Sequence, residues 1–110
     1  MTRPDDAVDG AELLNSMLSE KDFQAQIVEL AEKIGWRKYH TYDSRRSDPG
    51  FPDLVLALVP RLIFVECKLD KASSKLTQNQ RDWLEILKLC GQEVYVWRPS
   101  DWDTIVKVLE

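Results

Sequence analysis

The 110-residue chain has no apolar run able to cross a membrane. The longest, Leu54–Val59, falls far short of the ~20 residues a span needs. Cysteine is scarce as well. Cys67 and Cys90 are too few for a disulfide framework and fit no zinc-type spacing, so both read as reduced thiols. The one histidine, His40, falls in a strand and reads as structural, with a general-base role as the alternative. Met1–Asp9 is charged rather than apolar, so no secretory signal is expected. No internal repeat and no low-complexity segment occurs. These absences exclude a membrane-spanning, a disulfide-stapled and a zinc-structured protein. A soluble cytoplasmic protein without a membrane partner is expected.

What is present suits one small domain. Hydrophobic residues make up 44%, enough for a real core. So short a chain leaves little beyond that core, and any site must sit on the scaffold itself. The net charge of −4 alone argues against a polyanionic partner. Its distribution argues the other way. Met1–Glu32 carries 2 basic and 8 acidic residues (−6), Lys33–Arg81 carries 10 and 5 (+5), and Asp82–Glu110 carries 3 and 6 (−3). A basic middle is what phosphate binding needs, although ordinary surface charge gives the same count.

Residues 1–18 read as an acidic tail, with a helical turn at Ala11–Leu18, and 19–110 as the folded domain. Ser19–Gly35 reads as a helix: Phe23, Ile27, Leu30, Ala31 and Ile34 recur at helical spacing. Ser19 with Asp22 resembles a capping box, and Gly35 is a natural stop. Trp36–Tyr42 nearly alternates, as a half-buried strand does. Asp43–Pro52 is rich in turn formers. Leu54–Val59 and Leu62–Cys67 read as a central hairpin covered on both faces, followed by a basic loop, Lys68–Leu76. Thr77–Cys90 is a helix opened by Thr77 and Gln80 as a second capping box, Glu93–Trp97 a strand, and Ser100–Leu109 a closing helix. The order α-β-β-β-α-β-α predicts an α/β fold with a mixed sheet flanked by helices.

The hairpin makes the sharpest prediction. A two-residue Val59-Pro60 loop pairs Leu58 with Arg61 and sets Asp53 directly opposite Glu66. Their Cβ atoms then lie roughly 4.5–5.5 Å apart on one face. Lys68, two residues past Glu66, shares that face ~6–7 Å along the strand. A three-residue loop breaks this register unless a bulge restores it. Facing carboxylates destabilise a sheet, and a divalent cation compensates directly. Mg²⁺ binds through one or two carboxylates and keeps waters and phosphate oxygens. The Cys67 backbone carbonyl is a further ligand candidate, and Lys68 is placed to orient a water or stabilise a charged transition state. The plainer alternative is a salt bridge from Lys68 to Glu66 or Asp53.

Pro52-Asp53 and Glu66-Cys67-Lys68 resemble the two signature elements of the PD-(D/E)XK nuclease superfamily. Gly50-Phe51-Pro52-Asp53, Glu66-Cys67-Lys68 and Gln80-Arg81-Asp82-Trp83 resemble, in order, the three motifs of its VRR-NUC branch. The helix Ser19–Gly35, the Ser44-Arg45-Arg46 loop and Trp97-Arg98-Pro99-Ser100-Asp101 are also similar to small phage and bacterial members, so the likeness spans roughly residues 19 to 109. It implies a restriction-endonuclease-like α-β-β-β-α-β core and Mg²⁺- or Mn²⁺-dependent hydrolysis of DNA phosphodiesters. It further implies branched substrates, such as Holliday junctions or flaps, and often a homodimer.

Glu20 and Gln24 resemble the family's first-helix acidic and polar positions, which makes Glu20 a candidate catalytic residue and metal ligand. Glu20 equally suits the positive N-terminus of its helix. Gln80 is likewise a candidate site residue or simply a capping residue. Trp83 reads as core. Arg45, Arg46, Lys71 and Lys75, on the loops flanking Asp53 and Lys68, are the candidate DNA contacts, with plain solvation as the alternative. Three functions compete: a branched-DNA endonuclease, a broader restriction-like or end-processing nuclease, and a non-catalytic nucleic-acid-binding module on a nuclease scaffold. Intact Asp53, Glu66 and Lys68 argue against the third. RNA stays open as a substrate.

Overall fold

The structure, a computed structural model, describes residues 17–42 and 46–110. Most of the expected 1–18 tail, its helical turn and Arg45 lie outside the described residues. Leu18 packs against the core.

Helix α1 spans Glu20–Ile34. Its start is a true capping box: the Ser19 hydroxyl accepts from the Asp22 amide at 3.0 Å, and Asp22 Oδ2 accepts from the Ser19 amide at 3.3 Å. Gly35, at φ +120°, ends it in a conformation side chains rarely adopt. Phe23, Ile27 and Ala31 form the buried stripe. A fully buried Phe or Ile side chain stabilises a fold by about 1.5–3 kcal/mol, so this stripe anchors the helix.

Strands β1 (Arg37–His40), β2 (Leu54–Leu58) and β3 (Arg61–Cys67) form an antiparallel meander. Helix α2 (Gln78–Leu89) then crosses over to β4 (Glu93–Trp97), which runs parallel to β3. The sheet order is β1-β2-β3-β4. A 3₁₀ turn, Pro99–Asp101, leads into α3 (Trp102–Leu109), so the expected closing helix begins as a tighter turn at the proline. Leu54, Leu56, Ile63, Val65 and Cys67 meet Phe23, Ile27, Ile105 and Leu109 in one core under α1 and α3. The opposite face meets α2 through Phe51, whose ring stands edge-on to Phe64 and to Trp83. Trp83 is half-buried in that cluster.

Two expectations need correction. Strand β1 is not half-buried: all four of its residues are exposed. It is an edge strand, and its near-alternation reflects the charged residues that discourage edge pairing. Only Trp36, just before it, is buried; its Nε1 donates to the Leu109 carbonyl at 2.9 Å, and the Arg61 guanidinium lies 5.1 Å over its ring. Nor is the hairpin covered throughout. Coverage is complete toward Cys67 and fails at the turn, where Val59 is 94% exposed.

The motif glycine has a packing reason. Gly50 sits at φ +89°, and a Cβ there would lie 2.6 Å from the Asn79 carbonyl oxygen at the start of α2. The loop before Asp53 therefore lies directly on α2, and Phe51 meets Trp83 of that helix edge-on. Gly50→Ala is expected to cost about 2–4 kcal/mol, combining a strained dihedral with overpacking against main chain. A lowered urea midpoint measures this; an unchanged midpoint refutes the close approach.

Candidate active site

The turn has the two-residue form, with Leu58 paired to Arg61 and Leu54 to Val65; the Val59–Pro60 peptide is cis. Continuing the register puts Asp53 opposite Glu66 at the open end of the hairpin. Main-chain bonds hold this end from both sides. The Asp53 carbonyl accepts from the Thr41 amide at 2.9 Å, and the Lys68 amide donates to the Trp97 carbonyl at 3.0 Å. Asp53 Oδ2 accepts from the Cys67 amide at 2.8 Å, fixing the carboxylate against the strand it faces.

Glu66 is 1% exposed and Lys68 is 6% exposed. Burial of a carboxylate favours its neutral form, and a second carboxylate alongside adds to that. Burial and then the Asp53 charge push Glu66 up to about 9, with Lys68 pulling weakly the other way. Burial also raises Asp53, opposed first by the Cys67 amide. The pair shares a site in which both cannot be ionised without a compensating charge. Lys68 Nζ lies 3.8 Å from Glu66 Oε2, close enough to favour its charged form but beyond hydrogen-bond reach. The salt-bridge alternative is thus met in position, but one lysine faces two carboxylates and neutralises at most one.

The Gln80 amide makes two contacts at once. Its Oε1 accepts from the Thr77 amide at 2.9 Å, closing the capping box of α2, while its Nε2 donates to Glu66 Oε2 at 3.1 Å. Glu20, at the first turn of α1, reaches Ser74 across the sheet end, with Ser74 Oγ 3.3 Å from its Oε2. Its charge raises Asp53 and Glu66 further. Burial pushes the Cys67 thiol up, which leaves an inert thiol and only main-chain groups for chemistry.

The donor set suits a hard divalent cation. Glu66 Oε1 is buried and accepts no hydrogen bond among the described residues, so the two carboxylates need either a shared proton or a cation between them. No three His, Cys, Asp or Glu side chains form a ready cage among the described residues. Two carboxylates, a main-chain carbonyl and solvent or phosphate oxygens match Mg²⁺ better than such a cage would.

Several contributors were not singled out from sequence. Ser74 also accepts from the Leu69 amide at 2.8 Å. Arg98 donates from Nη1 to the carbonyls of Leu69 and Ser74, and Ser100 binds Asp70 through its amide and hydroxyl at 2.9 and 2.7 Å. The loop after Lys68 is therefore pinned to the segment after β4. The stretch Trp97–Asp101 did stand out as family-like, but no residue pattern there marks Arg98 as a clamp for a loop some thirty positions earlier. His40, read as structural, lines an open cleft beside Asp53, its Nε2 2.8 Å from Gln24 Oε1. Arg46, Lys71 and Lys75 are exposed.

A mixed sheet in this order, helices on both faces, and two carboxylates meeting a lysine at one sheet end define the restriction-endonuclease-like fold of the PD-(D/E)XK superfamily. The chain belongs to the VRR-NUC domain family of nucleases, whose model matches residues 8–101. A solved VRR_NUC domain protein shares the fold at 19% identity, TM-score 0.66, over 84% of this chain and 85% of that one. A solved VRR_NUC domain matches at 25% identity, TM-score 0.65, over 82% and 92%. Hjc of Archaeoglobus fulgidus, a Holliday junction resolvase from an archaeal hyperthermophile, matches at 25% identity and TM-score 0.50, over 69% of this chain and 64% of that one. No curated protein sequence matches the chain.

Proposed function

We propose that the protein is a divalent-metal-dependent endodeoxyribonuclease acting on branched DNA, and that it works as a homodimer. The observation that carries the reading is buried Glu66 facing half-buried Asp53 beside Lys68, with Glu66 Oε1 accepting no hydrogen bond among the described residues. Asp53, Glu66 and the Cys67 main-chain carbonyl would hold Mg²⁺ or Mn²⁺, with Glu20 nearby as a charge that reinforces the demand for a cation. The ion, when bound, supplies a water of lowered pKa and neutralises phosphate charge. Lys68 orients the attacking water or meets the charge that builds on the scissile phosphate. Gln80 holds Glu66 Oε2 so that Oε1 stays turned toward the ligand side. The Ser74 contact ties Glu20 to the loop that follows Lys68.

Branched DNA is favoured because the similar Hjc structure is a Holliday junction resolvase. A two-fold pair of sites cuts both strands of a symmetric junction, which is the reason for a dimer. Incubation with labelled duplex, flap, fork, four-way-junction and single-stranded DNA, in Mg²⁺, Mn²⁺ or EDTA, tests the reading. Cleavage of branched forms only with metal supports it; cleavage in EDTA, or of none of them, refutes it. A strict monomer by light scattering that still resolves junctions removes the dimer alone.

Arg46, Lys71 and Lys75, exposed on the loops flanking the site, are the proposed contacts to the phosphate backbone. Neutralising Lys71 and Lys75 together is expected to weaken DNA binding for all sequences alike. The slope of log K against log salt should become shallower by about two units, one per lost phosphate contact. An unchanged slope moves the DNA path off this loop.

A further inference from the structure

A cleft of about 360 Å³ opens beside Asp53, lined among others by Lys21, Gln24, His40, Tyr42 and Gln80. A second, of about 380 Å³, continues between α1 and the edge strand β1, sharing Lys21, Gln24 and His40 and adding Ala25, Val28 and Lys38. The Gln24–His40 hydrogen bond sits where the two meet. Each volume is that of a small-molecule site and takes one nucleotide, not a double helix.

The lining has the chemistry of a single-strand site. Tyr42 is 66% exposed and lines the same cleft as Asp53. Ala25 and Val28 give an apolar wall, and Lys21 and Lys38 place cations along the same path. A stacking ring with a flanking cationic track is how proteins hold unpaired bases without reading sequence. Glu29 and Glu32 lie at the far end and repel further phosphates, which limits the track to two positions. Apart from Gln80, which holds Glu66 Oε2, none of these side chains hydrogen-bonds to Glu66 among the described residues.

We propose that the two clefts form a subsite for two consecutive unpaired nucleotides of the strand being cut, the first stacked on Tyr42 next to the scissile phosphate. This rests on the nuclease reading above and deepens it. It explains how a small site tells flapped or forked DNA from intact duplex: a flap offers unpaired nucleotides, whereas paired arms must first unstack them.

The test compares affinities in EDTA, where cutting stops, for a duplex with a two-nucleotide flap and for the same duplex blunt-ended. The wild type should prefer the flap. Tyr42→Ala should lower flap affinity about tenfold, the scale of one lost base–aromatic stack, and leave blunt-duplex affinity unchanged. Tyr42→Phe, which keeps the ring, should keep the preference. A 5-iodouracil at the unpaired position should cross-link to Tyr42 on irradiation. Equal loss on both DNAs, or a cross-link elsewhere, overturns the subsite. A wild type that cuts DNA with Mg²⁺ yet shows no flap preference overturns the subsite alone. A wild type that neither binds nor cuts any DNA overturns the nuclease reading together with it.

Discussion

Asp53→Asn and Glu66→Gln are each expected to abolish phosphodiester cleavage while making the metal-free protein more stable. The two effects share one cause. In the fold, burial and the facing Asp53 push Glu66 up to about 9 from its ordinary 4.5. Between those values the native state binds more protons than the unfolded chain, so stability falls as pH rises, by at most ~1.4 kcal/mol per pH unit. Glu66→Gln removes that decline: the substituted amide still accepts from Gln80 and carries no charge to bury. Its melting temperature should exceed the wild type's at pH 8 and approach it near pH 4. Millimolar Mg²⁺ should raise the wild-type melting temperature at pH 8, by linkage to the native state, and leave Glu66→Gln unmoved. A wild-type melting temperature that climbs from pH 5 to 8 without metal contradicts the buried-pair account. Residual cleavage near the wild-type rate in either variant assigns the chemistry elsewhere.

The second large effect belongs to Lys68. Its removal should slow single-turnover cleavage by ~10²–10³-fold, the usual cost of losing one preorganised electrostatic stabiliser. DNA affinity should barely change, since the buried ammonium is one phosphate contact among several. Lys68 also opposes the rise of Glu66, so Lys68→Ala should weaken metal binding at neutral pH. Titrating Mg²⁺ separates the two roles: saturating metal recovers the binding part and leaves the slower chemical step. A variant that saturates at the wild-type rate, or one that cuts normally but binds DNA poorly, removes Lys68 from the transition state.

Much of this site is legible in sequence because its parts are local. The pairing of Asp53 with Glu66 depends only on a two-residue turn and on the period of a strand, and the starts of α1 and α2 carry complete capping boxes. The exposure of β1 is a different kind of property. Whether a strand lies at an edge depends on which neighbours arrive later in the chain, and alternation within Arg37–His40 carries no trace of that. The same holds for Arg98, whose carbonyl acceptors lie 24 and 29 positions away. A clamp between distant loops leaves no spacing to read. Gly50 falls between the two cases: its place in the motif is visible, but the reason, the Asn79 main chain beneath it, exists only once α2 has docked.

Position 80 carries a substitution rule that neither role would impose alone. At the third residue of a capped helix, glutamate and glutamine are interchangeable starters. Here the far end of the same side chain must donate to Glu66 while the near end accepts from Thr77. Glutamate can do only the second, and it would add another anion facing a carboxylate that is already short of compensation. Glutamine alone has both a carbonyl and an amino group on one planar head. A folding signal and a site contact are thereby merged into a single chemical requirement, so a change neutral for the helix is not neutral for the site.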